Sequence, residues 1–101
     1  MNIAQFHQAV EHVWQQIEEK IDDEGLSIDT EIQGAVCTLT FDDKSQIIIN
    51  KQEAMLELWL ASKLGGIHFK NVDGEWVTDE GNTFWQHLEE AFIRHGETVS
   101  F

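Results

Sequence analysis

Apolar side chains recur at intervals of three and four along residues 3–23, and this spacing is the strongest constraint on the fold. They are Ile3, Phe6, Val10, Val13, Ile17 and Ile21. Such spacing places all six on one face of an α-helix. Gly25 follows where this helix would end, because glycine readily adopts the left-handed conformation of a helix C-terminus. We therefore predict an amphipathic helix that must bury this face against the rest of the chain.

Short segments with β character fill the middle of the chain, and a second helix follows them. Alternating or β-branched apolar residues predict strands at 28–33, 35–41, 45–50, 54–61, 67–72 and 75–78. Asp73-Gly74 is typical of a tight hairpin between the last two. The second helix is predicted over residues 83–95, where Thr83 and Gln86 have the spacing of a capping box.

This order of elements predicts an α+β fold with one domain over residues 1–101. The expected architecture is a two-layer sandwich, in which the two terminal helices pack on one face of a five- to six-stranded, mainly antiparallel sheet. The other face of the sheet is left to solvent or to a partner.

Carboxylates accumulate on and just after the first helix, away from its apolar face. Residues 11–31 contain eight of them against one lysine, Lys20. We call these eight residues the acidic ridge: Glu11, Glu18, Glu19, Asp22, Asp23, Glu24, Asp29 and Glu31. Three interpretations remain open: a solvated surface, a weak open site for cations held by carboxylates four residues apart, and a docking surface for a basic protein.

The segment MLELWLAS, residues 55–62, alternates in a way that predicts which side chains face the helices. Leu56, Leu58 and Leu60 share one side of this strand, and Trp59 stands on the other beside Glu57. The reverse orientation would bury Glu57 and expose the leucines. We therefore expect an exposed indole, which is typical of a binding surface. The two amides before this strand, Asn50 and Gln52, could contact the same partner.

Catalytic patterns are missing from the sequence. No HxH, HExxH or CxxC motif occurs, and Cys37 sits in an alternating apolar segment, where we predict a buried, inert thiol. His7 lies one turn before Glu11 and is a candidate nitrogen ligand for a metal at the acidic ridge. We find no active site and predict a protein that is not an enzyme.

The charge balance narrows the class of partner. With 19 acids and 6 bases the formal net charge is −13, which disfavours nucleic acid and anionic lipid. No apolar run approaches the roughly 18–20 residues of a membrane span. The N-terminal residues carry no basic side chain, so neither a secretory signal nor a transit peptide is indicated. We expect a cytoplasmic protein.

Four stretches together resemble the frataxin family in its bacterial form. They are NKQEAMLELWLASKLGGIHF from Asn50 to Phe69, IEEKIDDE in the first helix, GNTFWQHLEEA at the second helix, and GETVSF at the end. Two positions depart from the family pattern: Ala54 stands where proline is usual, and Ile67 where an aromatic residue is common. Frataxins are sandwiches of a sheet and two terminal helices, in agreement with the predicted fold.

The resemblance implies a function and assigns residues to it. It implies weak binding of ferrous and ferric iron by the acidic ridge and by His7, and a regulatory role in iron–sulfur cluster assembly. The expected partners are a cysteine desulfurase and its scaffold protein. The contact residues for these partners are Trp59, Asn50, Gln52, Glu18, Glu19 and Asp22.

Two questions stay open after the resemblance is taken into account. A monomer is expected, and iron-driven oligomerisation is left undecided. The alternative function is that of an iron-storage or ferroxidase-type protein, in which the ridge collects iron for its own sake.

Overall fold

The computed structural model describes all 101 residues and contains two α-helices and six strands. In chain order they are α1 (Ile3–Asp23), β1 (Asp29–Gln33), β2 (Val36–Thr40), β3 (Gln46–Gln52), β4 (Glu57–Ser62), β5 (Gly65–Val72), β6 (Glu75–Val77) and α2 (Phe84–Arg94). Each strand pairs antiparallel with the next, so that the sheet follows sequence order. The predicted α+β architecture is confirmed.

Both helices begin with a reciprocal capping box. The Asn2 side chain accepts the backbone N–H of Gln5 at 2.8 Å, and the Gln5 side chain accepts that of Asn2 at 3.0 Å. Thr83 and Gln86 do the same at the start of α2, at 3.2 and 3.3 Å. Each pair satisfies backbone donors that have no partner inside the helix. The capping box predicted for α2 is confirmed.

The hairpin between β5 and β6 also agrees with prediction. Asp73 and Gly74 both have positive φ, 52° and 90°. Two central residues with positive φ match the right-handed twist of the flanking strands.

The core lies between one face of the sheet and the two helices. Aromatic edge contacts join the layers: Phe6 of α1 meets Trp76 of β6 with ring centroids 5.9 Å apart, and Phe84 of α2 meets Phe69 of β5 at 5.4 Å. Of the six apolar residues predicted to form the buried face of α1, five are buried and only Ile3 is exposed. No helix covers the opposite face, here called the open face. Neither helix combines the length and apolar character that crossing a membrane requires.

The fourth strand differs from its predicted range of 54–61. Glu53–Met55 forms a single 3-10 turn, and Leu56 adopts a left-handed conformation with φ of 52°. These backbone angles interrupt the alternation, so β4 begins only at Glu57. Leu56 is therefore not part of the buried strand face, although Leu58 and Leu60 are.

Cys37 lies in β2 and is fully buried. Burial raises the pKa of its thiol to about 12, and the negative charge of Glu18 acts in the same direction. Because only the thiolate is a good nucleophile or metal ligand, this thiol is inert in the folded state. The predicted burial of Cys37 is confirmed.

The consecutive isoleucines of β3 test the assignment of the two sheet faces. Ile49 is fully buried against the helices, whereas Ile48 is 38% exposed on the open face. We expect Ile49→Ala to lower the free energy of unfolding by about 2–5 kcal/mol, because it leaves a cavity in the core. The matched variant Ile48→Ala should cost less than about 1 kcal/mol. Urea unfolding measures both, and equal losses would contradict the assignment.

Candidate functional site

The acidic ridge is exposed along its whole length. Packing of the apolar face of α1 directs the helical carboxylates to solvent, and all eight members of the ridge are exposed. The one ion pair within this surface joins Lys20 and Glu24 at 3.6 Å, one helical turn apart. The ridge is therefore largely uncompensated by the protein's own cations.

The two members of the ridge on β1 point to the open face. Asp29 and Glu31 pair with Thr40 and Thr38, whereas Thr30 between them pairs with the buried Leu39. Since side chains alternate across a strand, the two carboxylates lie opposite the helix-covered side. The ridge thus continues from α1 across the edge strand β1 onto the open face.

No group of three or more histidine, cysteine, aspartate or glutamate side chains is positioned to hold a metal ion. On α1 the carboxylates instead form pairs four residues apart, Glu18 with Asp22 and Glu19 with Asp23. Such pairs offer two ligands and leave the remaining coordination positions to water. Any cation bound here would lie at the surface, in exchange with solvent.

His7 is tied to the end of β3 and to the 3-10 turn. The Lys51 ammonium donates to His7 Nδ1 at 3.1 Å, and Nε2 lies 3.1 Å from a carboxylate oxygen of Glu53. With Nδ1 accepting, the proton is on Nε2 and is donated to Glu53. A metal role for His7 stays a prediction, and it requires one ring nitrogen to leave its present partner.

The open face carries the exposed indole. Trp59 is 39% exposed, and its register neighbours are Asn50 on β3 and His68 on β5. The His68 ring lies against the indole, with centroids 5.4 Å apart. Gln52 is the register neighbour of Glu57, so it lies on the same face as Asn50. Both amides are half-buried.

A shallow groove of about 360 Å³ lies beside the indole. Its apolar walls include Ile48 and Ala61, and Asn50 supplies a polar edge. Aromatic residues are enriched at protein interfaces, so this part of the open face is a candidate contact surface. We call Trp59, Asn50, Gln52, His68 and this groove the indole surface.

Glu57 departs from its predicted position in solvent and is 2% exposed, although it lies on the open face. Its Oε1 accepts the indole N–H of Trp59 at 3.0 Å and lies 3.3 Å from Nδ1 of His68. The carboxylate is thus covered by the two rings that it orients. Alternation places Glu57 and Trp59 on one side, but pairing with His68 depends on the β4–β5 register, which sequence reasoning did not provide.

The comparisons with known proteins agree with this architecture. The family described as "Frataxin-like domain" matches residues 1–98. The chain belongs to the bacterial frataxin family. It is 82% identical, over all of both chains, to an "Iron-sulfur cluster assembly protein CyaY" of Actinobacillus pleuropneumoniae, and 57% identical to the protein of that name from Haemophilus influenzae, again over all of both chains.

Solved frataxin structures share the fold. The frataxin of Psychromonas ingrahamii superimposes with a TM-score of 0.89 at 35% identity, covering 99% of this chain and 97% of that one. Trimeric frataxin from Saccharomyces cerevisiae, complexed with ferrous iron, has a TM-score of 0.71 at 28% identity and covers 89% of this chain and 83% of that one.

Removal of the Glu57 carboxylate should release the Trp59 indole. Glu57→Ala deletes the acceptor of the indole N–H, so we expect greater indole mobility and a loss of about 1–3 kcal/mol in the free energy of unfolding. NMR relaxation of the indole N–H and urea unfolding measure these effects. Glu57→Gln is the matched control, because its amide oxygen still accepts the bond. Unchanged indole mobility in Glu57→Ala would show that the carboxylate does not orient Trp59.

Proposed function

We propose that this frataxin is an iron-binding regulator of iron–sulfur cluster assembly that docks on a cysteine desulfurase and its scaffold protein. The observation that carries the proposal is that two unlike surfaces share the open face: the uncompensated acidic ridge reaches it at the edge strand β1, and the indole surface lies on it at β3 to β5. Its close relatives are named iron–sulfur cluster assembly proteins, and the yeast frataxin structure contains ferrous iron.

The acidic ridge suits a basic protein partner. Its carboxylates repel one another at close range, and a cationic surface would relieve that repulsion on contact. Complementary charge of this kind accelerates association and selects the partner. It acts over roughly 8–10 Å at physiological salt, so the interaction should weaken as salt rises. We assign the basic partner to the desulfurase, with Glu18, Glu19 and Asp22 at the contact.

The same carboxylates would take iron as cargo. Hard and borderline cations prefer carboxylate oxygens, and the pairs on α1 provide two per site. Because these sites are open and share one surface, binding should be weak and multiple. Asp23, Glu24, Asp29, Glu31 and Glu11 extend the iron-binding surface. Iron and desulfurase then compete for overlapping carboxylates, which would make docking responsive to iron.

The indole surface is assigned to the scaffold protein. Trp59 offers a large apolar area whose orientation is already set by Glu57, so little freedom is lost on binding. Asn50 and Gln52 add amide donors and acceptors on the same face. Aromatic residues of this kind dominate binding energy at protein interfaces.

Reversal of ridge charges tests desulfurase docking. We expect Glu18→Lys with Asp22→Lys to weaken binding to a purified cysteine desulfurase by about tenfold or more, because two attractive contacts become repulsive. Isothermal titration at two salt concentrations measures the affinity. Added salt should weaken the wild-type complex more than the complex of this variant.

The matched control is Glu80→Lys with Glu90→Lys. It makes the same change in net charge on exposed residues near α2 and the β6 edge, away from β1. This control should bind the desulfurase nearly as wild type does. Equal losses in both double variants would indicate an effect of net charge alone, and unchanged affinity in the ridge variant would refute docking there.

Trp59→Ala should separate scaffold contact from desulfurase contact. We expect the variant to retain desulfurase affinity and iron binding while it loses most of its effect on the cluster formation rate, because the apolar anchor is gone. The assay contains purified desulfurase and scaffold and is run over a range of iron concentrations. An unchanged effect of the variant would exclude the indole surface from regulation.

Iron storage or iron oxidation is the second candidate, and the trimeric ferrous complex of yeast frataxin favours it. That function predicts iron oxidation faster than in buffer, lost on ridge substitution and independent of desulfurase. If iron is oxidised no faster than in buffer, and the protein changes the cluster formation rate in an iron-dependent way, the results favour regulation over storage or oxidation.

A further inference from the structure

A closed ring of hydrogen bonds around His95 ties the C-terminal end of α2 to two turns of the sheet. His95 is 5% exposed, and its ring stacks on Phe41 with centroids 4.8 Å apart. Asp43 and Ser45 belong to the β2–β3 turn, and Lys63 to the two-residue β4–β5 turn. None of these side chains belongs to the acidic ridge or to the indole surface.

The hydrogen bonds define which nitrogen of His95 carries the proton. The backbone N–H of Lys63 donates to Nε2 at 3.2 Å, so Nε2 must be an acceptor without a proton. The proton is then on Nδ1, which lies 2.7 Å from Ser45 Oγ and donates to it. His95 is therefore held as the neutral Nδ1–H tautomer.

Asp43 closes the ring. The Ser45 hydroxyl and backbone N–H both donate to Asp43 Oδ1, and the Lys63 ammonium donates to Oδ2 at 3.1 Å. The Ser45 hydrogen bonds, followed by Lys63, hold the pKa of Asp43 well below its usual range. Every donor in the ring has an acceptor, and the ionised Asp43 carboxylate only accepts hydrogen bonds.

We propose that this ring is an acid-labile latch: it is complete only while His95 is neutral, and uptake of a proton at Nε2 frees the end of α2 from the β4–β5 turn. A proton on Nε2 would face the backbone N–H of Lys63, so that two donors oppose each other inside the ring. The backbone N–H of Lys63, whose hydrogen bond to Nε2 is part-buried, would then lose its acceptor, and this loss destabilises the contact between α2 and the turn.

The charges around His95 act in both directions. From the β4–β5 turn, Lys63 opposes protonation, and from the β2–β3 turn, Asp43 favours it. Burial is the largest influence, and it lowers the pKa of His95 from 6.5. Four further charged residues lie within two positions of ring members in the sequence, and they are exposed or half-buried: Asp42, Lys44, Arg94 and Glu97.

The sign of the pH dependence follows from this lowered pKa. The unfolded chain takes up a proton on this histidine near pH 6.5, whereas the folded protein does so only at lower pH. The latch therefore contributes its full stability above pH 6.5, and the contribution is lost as pH falls from there through the folded-state pKa. Asp43 acts in a separate, more acidic window, below its ordinary pKa of 3.8.

His95→Gln is the decisive variant, because a glutamine oxygen can replace Nε2 as an acceptor that does not titrate. We expect the folding equilibrium constant of the wild type to fall, relative to that of His95→Gln, by up to about tenfold per pH unit within the His95 window. Urea unfolding between about pH 8 and pH 5 measures the ratio, and taking the ratio cancels the titration of the other groups. A ratio that does not change with pH would overturn the proposal.

Two further measurements keep the proposal testable if His95→Gln does not fold. NMR of the wild-type imidazole nitrogens should show the Nδ1–H tautomer at neutral pH, and the Nε2–H tautomer would refute the latch. Ser45→Ala should destabilise the protein but retain the pH dependence, because the contact between Nε2 and the Lys63 N–H survives. Loss of the pH dependence in Ser45→Ala would show that the contact between Nε2 and the Lys63 N–H is not the pH-sensitive one, and it would refute the latch.

Discussion

Burial of one face of α1 against the sheet determines where the charges of this protein lie. Full burial of an apolar side chain stabilises by roughly 1.5–3 kcal/mol, whereas interactions between exposed charges are each worth about 1 kcal/mol or less. Burial of the apolar side chains therefore sets the rotation of α1 about its axis. The carboxylates lie side by side in solvent as a result, despite their mutual repulsion. The acidic ridge is a consequence of packing as well as a property of composition.

The antiparallel register of the sheet has a comparable effect on the open face. It sets Glu57 and His68 around Trp59 and places Asn50 opposite the indole. The buried carboxylate orients the two rings above it, so the face offers a partner a rigid aromatic group. If Trp59 contacts a partner as proposed, Glu57 would affect binding through the indole that it orients, although Glu57 is itself buried.

In the proposed function, iron binding and partner docking would share one set of carboxylates, because these side chains are exposed and none is enclosed in a closed cage. A closed cage would bind iron tightly and hide its ligands from a protein partner, whereas exposed pairs do neither. Weak iron binding is then the property that would allow the ridge to exchange metal for a basic surface. The ring of hydrogen bonds around His95 is made by different residues. Its contribution to stability can therefore be changed without altering the acidic ridge or the indole surface.

Local regularities in the sequence predicted α1, the α2 capping box, the Asp73-Gly74 hairpin and the exposure of Trp59, because each depends on residues within a few positions of one another. Contacts between distant residues escaped prediction. His7 meets Lys51 across 44 positions, and His95 meets Ser45 across 50. The burial of Glu57 depends on pairing with β5, and the left-handed Leu56 ends an alternation that appeared continuous. Periodicity and turn chemistry are encoded in neighbouring residues, whereas hydrogen-bond partners are chosen only when the folded chain brings separate elements together.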